Sequence, residues 1–350
     1  MLGSPVIALV GEGEDGQMAE LFVLGATGYV GSEVVRVALA RGHRVRALVR
    51  RAEAAARLET LGVLVTRGDV SELRQSIDQA RQADVIIDLI QPRLPARLTE
   101  AQADRISAYR RSATQCVLDA IRSLPASLRP LLISASGVEE LAPDERGLIS
   151  HRSPLTDTPT GFGRIGVPVC RQVQASGLDH AFVHLGIVYG PGKAFAAKIV
   201  PGVARGRMPV IGDGANRTPL TSLRDAARAI VHLVEQPRES LRGRRYLATD
   251  GQPTTQRELL EHIAAWLGVR RPLHIPLWLG RLALGSVMVE VLTLDAQVDN
   301  SALLDSGFWF EHPSLREGVP AMLAQLGYAL TPNAPGARPP EKRREQRPQA

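Results

Sequence analysis

Short apolar runs alternate with longer stretches of helical periodicity through most of this chain. Leu21-Phe22-Val23-Leu24 is the first run, and it stops at Gly25. His43–Val49, Val63–Val70, Asp84–Ile90 and Pro130–Ser134 follow, with Ala181–Gly186 further on. Asp84–Ile90 is apolar almost throughout, the pattern of a parallel strand covered on both faces. Between the runs, Val34, Val35, Ala38 and Leu39 fall on one helical face, and Gly42 supplies a stop. Ile106–Leu124 reads as a long helix carrying Val117, Leu118 and Ile121. Arg224–Leu233 repeats the pattern with Ala226, Ala227, Ala229, Ile230, Val231 and Leu233. Strands that alternate with helices predict an α/β protein with a doubly wound parallel sheet.

The first strand-to-helix junction is Gly25-Ala26-Thr27-Gly28-Tyr29-Val30-Gly31. Gly25 suits a tight turn, Gly28 lets a pyrophosphate approach the backbone, and Gly31 lets the helix pack closely on the sheet. The free amides and positive dipole end of that helix then favour phosphate. A glycine triplet alone says little, but this one has the strand before it and the helix after it. A similar run upstream, Val6–Gly13, leads into Glu14 and Asp15 with no helical pattern, so residues 1–17 are read as an extension. It is not a secretory signal, because the apolar stretch is short and no basic residue precedes it.

The second strand ends at Arg50-Arg51, where an acidic residue would meet the ribose hydroxyls of NAD and arginine would meet the extra phosphate of NADP. NADP is therefore the favoured cofactor, with NAD left open. At the end of the third strand, Asp69 is placed to accept from the adenine amino group while Val70 packs on the ring. The binding set expected from the sequence is Gly25, Thr27, Gly28, Tyr29, Val30, Gly31, Arg50, Asp69, Val70, Leu89 and Ser134.

At this point the chain resembles an extended or atypical short-chain dehydrogenase/reductase of the NAD-dependent epimerase/dehydratase type, over about residues 20–330. The glycine turn carries the likeness together with Arg67-Gly68-Asp69, Ile133–Val138, Val188-Tyr189-Gly190-Pro191-Gly192, Val210–Gly214 with Asn216-Arg217, and Thr254–Leu259. The resemblance implies a Rossmann core over 18–180, then the last core strands and a substrate-binding lobe over 181–330. It also implies an NAD(P)-dependent oxidoreductase or epimerase-like activity on a small organic or nucleotide-sugar-like substrate.

One departure from the family pattern bears on chemistry. Members use a serine, a tyrosine and, four residues later, a lysine. Counting back from Ala175-Ser176-Gly177-Leu178-Asp179 places Phe162 at the tyrosine and Gly166 at the lysine. A phenyl ring donates no proton, and glycine offers no charge. Ser134-Ala135-Ser136 puts alanine where many members have the hydroxyl, and His184-Leu185 stands where an Arg-Pro pair is usual. The catalytic residue is left unassigned: Tyr189, His184, His151 and Lys193 border the cleft, but each has a structural reading. A core histidine suits His184, a solvated loop suits His151, and a lobe turn suits Tyr189. Arg217 is divided between a substrate diphosphate and a structural ion pair. The alternative to an enzyme is a non-catalytic NADP-binding redox sensor or assembly factor.

Charge and composition narrow the picture further. The net charge is +6, and Arg338–Arg347, with five basic and two acidic residues, carries half of it. The segment 331–350 is proline-rich and charged, and is expected to be disordered. Aromatics make up 4% of the chain, leaving few platforms for single-stranded nucleic acid, so no nucleic-acid partner is expected. Cys116 and Cys170 form no paired framework, which suits a reducing cytoplasm. The eight histidines show no metal-ligand spacing. Ile275–Glu290 is too interrupted by charge to span a membrane and reads as a lobe helix or an oligomer contact, leaving a homodimer open.

Overall fold

The computed structural model describes residues 18–76, 81–192 and 195–331. The expected extension (1–17), Lys193 and nearly all of the expected tail lie outside the described residues. Seven strands form one sheet: β1 (Glu20–Leu24), β2 (Arg44–Val49), β3 (Leu64–Arg67), β4 (Val85–Asp88), β5 (Leu131–Gly137), β6 (His180–Leu185) and β7 (Arg244–Ala248). Their spatial order is β7-β6-β5-β4-β1-β2-β3, and every pairing is parallel. Chain direction across the sheet therefore reverses between β1 and β4. In such sheets a ligand sits outside the carboxyl ends of the strands at this reversal.

Helices cover both faces. On one, α1 (Tyr29–Ala40) and α5 (Leu223–Val234) pack together over Leu21, Val23, Val85, Ile87 and Ala181. On the other, α3 (Glu100–Arg122) and α4 (Gly163–Gln174) cover Phe22, Leu24, Ile86, Leu132 and Phe182. The short α2 (Ala52–Glu59) flanks β3. This two-sided burial explains why the central strands β1 and β4 lack polar alternation, whereas β2, next to the edge, keeps it. A separate core of Tyr189, Phe195, Val200, Leu259, Ile263, Trp266, Leu315 and Met322 builds the lobe, which contains α6 (Gln256–Trp266), α7 (Leu277–Leu284), α8 (Ser286–Leu292) and α9 (Leu315–Gln325).

Three boundaries differ from the pattern-based ones, each for a local reason. α3 begins six residues before Ile106 because Thr99 and Gln102 form a capping box, Gln102 Oε1 accepting from the Thr99 amide at 2.9 Å. β3 stops at Arg67, and Val70 opens a 3₁₀ turn instead, its side chain going into the second core. β5 runs on to Gly137, three residues past Ser134, paired with β6 through Gly137↔Leu185.

A buried ion pair fixes α3 to the sheet beside the cleft. Arg110 donates to both oxygens of Asp88, at 3.4 and 3.2 Å, and Asp88 also accepts from the Ile90 amide at 3.0 Å. Both residues are buried. Removing one partner strands a charge away from water. Arg110→Ala is therefore expected to cost about 3 kcal/mol in denaturant unfolding, and a loss below 1 kcal/mol would show that water reaches Asp88.

Candidate functional site

The site is built outward from the glycine turn. Gly25 has φ +82°, and a side chain there would bring Cβ to 2.5 Å from the Leu89 carbonyl oxygen. Only glycine combines that conformation with that approach. A Cβ on Gly28 would lie 2.9 Å from the Gly25 oxygen, and one on Gly31 would overlap it. Gly28 caps α1 without a side-chain hydrogen bond, and no acidic residue sits in the first turn. The first-turn amides have no intrahelical acceptor, so the helix end is a ready anion site. These residues fit the pyrophosphate of a dinucleotide. Thr27 is exposed at the turn, while Val30 packs partly into the sheet core. Tyr29 lies against Gly190 and Gly192, and burial, with Glu33 nearby, pushes its phenol well above the usual range. Leu89 borders the turn through its backbone.

Arg50, Arg67, Gly68, Asp69 and Glu72 line a hollow of about 400 Å³ at the ends of β2 and β3. Arg50 is exposed, 3.8 Å from Asp69 Oδ2, and Asp69 Oδ1 accepts from the amide and hydroxyl of Ser71. Arg67 belongs to a block that carries the resemblance but was not in the expected binding set. The register Val49↔Arg67 sets its backbone beside that of Arg50, and its guanidinium donates to the Arg50 carbonyl at 3.4 Å. The two cations suit a terminal phosphate, while Glu72 works against a third acid there. Val70, expected to pack on the adenine ring, is buried in the second core and does not line this hollow.

Across the reversal, the carboxyl end of β5 carries an acidic pair. Ser134 is buried in register with Asp88, and the next outward hydroxyl, Ser136, donates to Glu140 Oε2. Glu140 is buried, and also accepts from the Gly137 amide at 3.1 Å and the Cys170 thiol at 2.9 Å. Burial and the adjacent Glu140 charge push that thiol up, so Cys170 is a protonated donor. Gly166 lies over this group: a Cβ on Gly166 would overlap Glu140 Oε1. Phe162 sits immediately before α4 and packs partly against Leu98, Ile165 and Val287. At the two positions that the resemblance gives to tyrosine and lysine, one thus finds an apolar contact and the space a carboxylate fills.

Glu139 is different. Its carboxyl lies over the bare face of Gly137, 2.5 Å from where a Cβ would stand. Desolvation, reinforced by the Glu140 charge, raises its pKa to about 7. It holds a proton near neutrality at the carboxyl edge of β5, one strand from the reversal. Sequence reasoning missed it; the signal was two adjacent acids one residue beyond an apolar strand that ends in Ser-Gly.

The other candidates are held elsewhere. His184 is fully buried, with Nδ1 at 2.9 Å from the Gly137 carbonyl oxygen, and burial depresses its pKa, as a core histidine requires. Tyr189 is in the lobe core, its hydroxyl against Gly318. His151 is half-buried rather than solvated, because the Ser153 hydroxyl accepts from the Ser150 amide and folds the turn inward. Arg217 forms a bidentate pair with Asp295, at 2.8 and 3.1 Å, and donates to Gln297. Its structural reading accounts for all of these contacts. Among the described residues, no His/Cys/Asp/Glu group could hold a metal ion, and no helix is long and apolar enough to cross a membrane.

Comparison with known proteins agrees with this fold. The family model "NAD dependent epimerase/dehydratase family" matches residues 21–248. A Streptomyces protein, 3-diazoavenalumate denitrifying reductase, is 28% identical over 307 residues, covering 85% of this chain and 98% of its own. The crystal structure of the human epimerase family protein SDR39U1 with NADPH superposes with a TM-score of 0.71 at 19% identity, over 87% of this chain and 99% of that one. A nucleoside-diphosphate-sugar epimerase from Pseudomonas aeruginosa gives 0.70 at 18% identity, over 89% and 99%. The two structures share the fold.

Proposed function

For a chain that belongs to the NAD dependent epimerase/dehydratase family, we propose the role of an NADPH-dependent reductase that works without the family's tyrosine–lysine pair. The observation that carries this reading is Glu139, a carboxyl that stays protonated to about pH 7 at the carboxyl edge of β5. The glycine turn and uncapped α1 would hold the pyrophosphate, and Arg50 with Arg67 the 2′-phosphate. When bound, NADPH supplies a hydride. A carbonyl acceptor that takes a hydride becomes an alkoxide and needs a proton, and Glu139, over Gly137 at the carboxyl end of β5, is the group we assign to give it. Ser136, Cys170 and the Gly137 amide hold the neighbouring Glu140 in place. Burial keeps Glu139 protonated, and the Glu140 charge adds to it.

The Streptomyces relative favours a second acceptor class, since its name describes denitrification of a diazo compound. A diazonium acceptor needs no proton: a C–H bond replaces the C–N bond, and that electron pair leaves with N₂. Loss of the tyrosine and lysine costs nothing in such a reaction. The test is NADPH oxidation followed at its absorbance maximum with aldehydes, ketones, enones and aryl diazonium salts. Turnover with at least one class is expected. Tight NADPH binding with no oxidation on any of them would overturn the reductase and leave a nucleotide sensor.

Cofactor choice is tested separately. Arg50→Asp should weaken NADPH binding about tenfold or more and leave NADH binding unchanged or improved, since a charge-assisted phosphate contact is worth about 1.5–3 kcal/mol. Arg67→Ala should act in the same direction. Equal NADPH affinity before and after both changes would place the phosphate elsewhere.

A further inference from the structure

The lobe exposes an apolar face that the proposed reductase chemistry does not use. Leu273 is 76% exposed, Trp278 66% and Leu282 65%, with Leu277 and Leu279 partly so. Their placement follows from packing: Gly280 is the buried face of α7, resting on Ile211 and Val289, which turns Trp278, Arg281 and Leu282 outward together. Arg270, Arg271 and Arg281 are all exposed in the same segment. Between Glu261 and Glu290 the chain has no acidic residue.

Exposed tryptophan and leucine flanked by arginine is the composition of a surface that lies in a lipid interface. We propose that this face docks on an anionic lipid bilayer, with Trp278, Leu282 and Leu273 entering the headgroup boundary and the three arginines meeting lipid phosphates. Two other occupants fit less well. An isologous dimer through this face would set arginine against arginine with no acid in the segment to compensate. The chain's own residues 332–350 contain no aromatic, leucine, isoleucine or valine, and their excess of arginine and lysine repels the same charges.

The placement relative to the cleft gives the docking a use. The Leu98 amide donates to the Leu284 carbonyl, and Glu290 accepts from the Gly161 amide at 2.8 Å. The α7–α8 pair thus bridges the segment after β4 and the turn before α4. A bilayer on its outer side would stand beside the cleft, within reach of an acceptor dissolved in lipid.

The test is co-sedimentation of the full chain with vesicles of phosphatidylcholine alone and of equal parts phosphatidylcholine and phosphatidylglycerol, alongside sedimentation velocity without lipid. Binding to the mixed vesicles should exceed that to phosphatidylcholine at least tenfold and weaken as salt rises. Arg270→Glu with Arg271→Glu should lower it by more than the roughly fivefold expected for loss of each arginine alone. Trp278→Ala with Leu282→Ala should abolish it, with NADPH binding unchanged as the control for folding. Sedimentation with neither vesicle, or binding that ignores these variants, overturns the proposal. So does a lipid-free dimer that Trp278→Ala dissociates, which would give the face to a second copy. None of these readouts depends on turnover, so failure here leaves the reductase reading intact, and the reverse holds.

Discussion

Gly166→Lys, made to restore the family's lysine, is expected to destabilise the protein by about 4 kcal/mol or more instead of improving catalysis. The reason is steric first. The new Cβ would overlap Glu140 Oε1, and its neighbourhood is closed: Glu140 is buried and its carboxylate is held by Ser136, Cys170 and the Gly137 amide. Displacing it breaks all three hydrogen bonds and leaves a carboxylate searching for partners in a dry site. Gly166→Ala isolates the steric part and should still cost about 2 kcal/mol. The double variant Gly166→Ala/Glu140→Ala is the decisive comparison, because the clash and the charge vanish together. Its loss should be smaller than the sum of the two singles, measured by denaturant unfolding. Additivity would show that the two residues do not meet.

Glu139→Gln should lower turnover with a carbonyl acceptor about a hundredfold or more, the usual scale of general acid catalysis, while leaving NADPH affinity unchanged. The pH dependence gives the sign. Burial and Glu140 raise the carboxyl to about 7, so the proton-bearing form dominates below that and turnover should fall as pH rises through about 7. Glutamine removes the titration, and the residual rate should be flat across this range. The same shift speaks to stability. A carboxyl raised on folding binds its proton more tightly in the native state, so stability falls as pH climbs from the unfolded carboxyl range to about 7, then levels. Glu139→Gln should remove its share of that slope and leave the share of Asp250, whose carboxyl burial also raises to about 7. A diazonium acceptor should ignore the substitution, which separates the two acceptor classes within one variant. An unchanged carbonyl rate would remove Glu139 from the chemistry.

Much of the fold was legible because it rests on local chemistry. Gly25 and Leu89 meet where the glycine pattern required a turn, and two-sided helix cover goes with the apolar runs Leu21–Leu24 of β1 and Val85–Ile87 of β4. That Asp69 and Arg50 lie together was readable for the same reason: strand ends in this topology face one edge. What was not legible depends on contacts distant in sequence. Arg67 joins Arg50 only through the β2–β3 register, and Arg110 reaches Asp88 across 22 residues. Glu139 and Glu140 look like two solvated acids in a list, and only the glycines at 137 and 166 make room for their carboxyls at the strand edge. Glycine at 166, where the resemblance implies a lysine, is plain in the sequence, and the structure adds the Glu140 carboxyl that lies against it.

The most direct test of the central claim is calorimetric titration of the full chain with NADPH and with NADH. The account predicts one site per chain for NADPH, at least tenfold tighter than for NADH, and loss of that site in Gly28→Val, where a side chain would stand between the helix end and the pyrophosphate. No heat from either cofactor, with circular dichroism showing an intact fold, would contradict it.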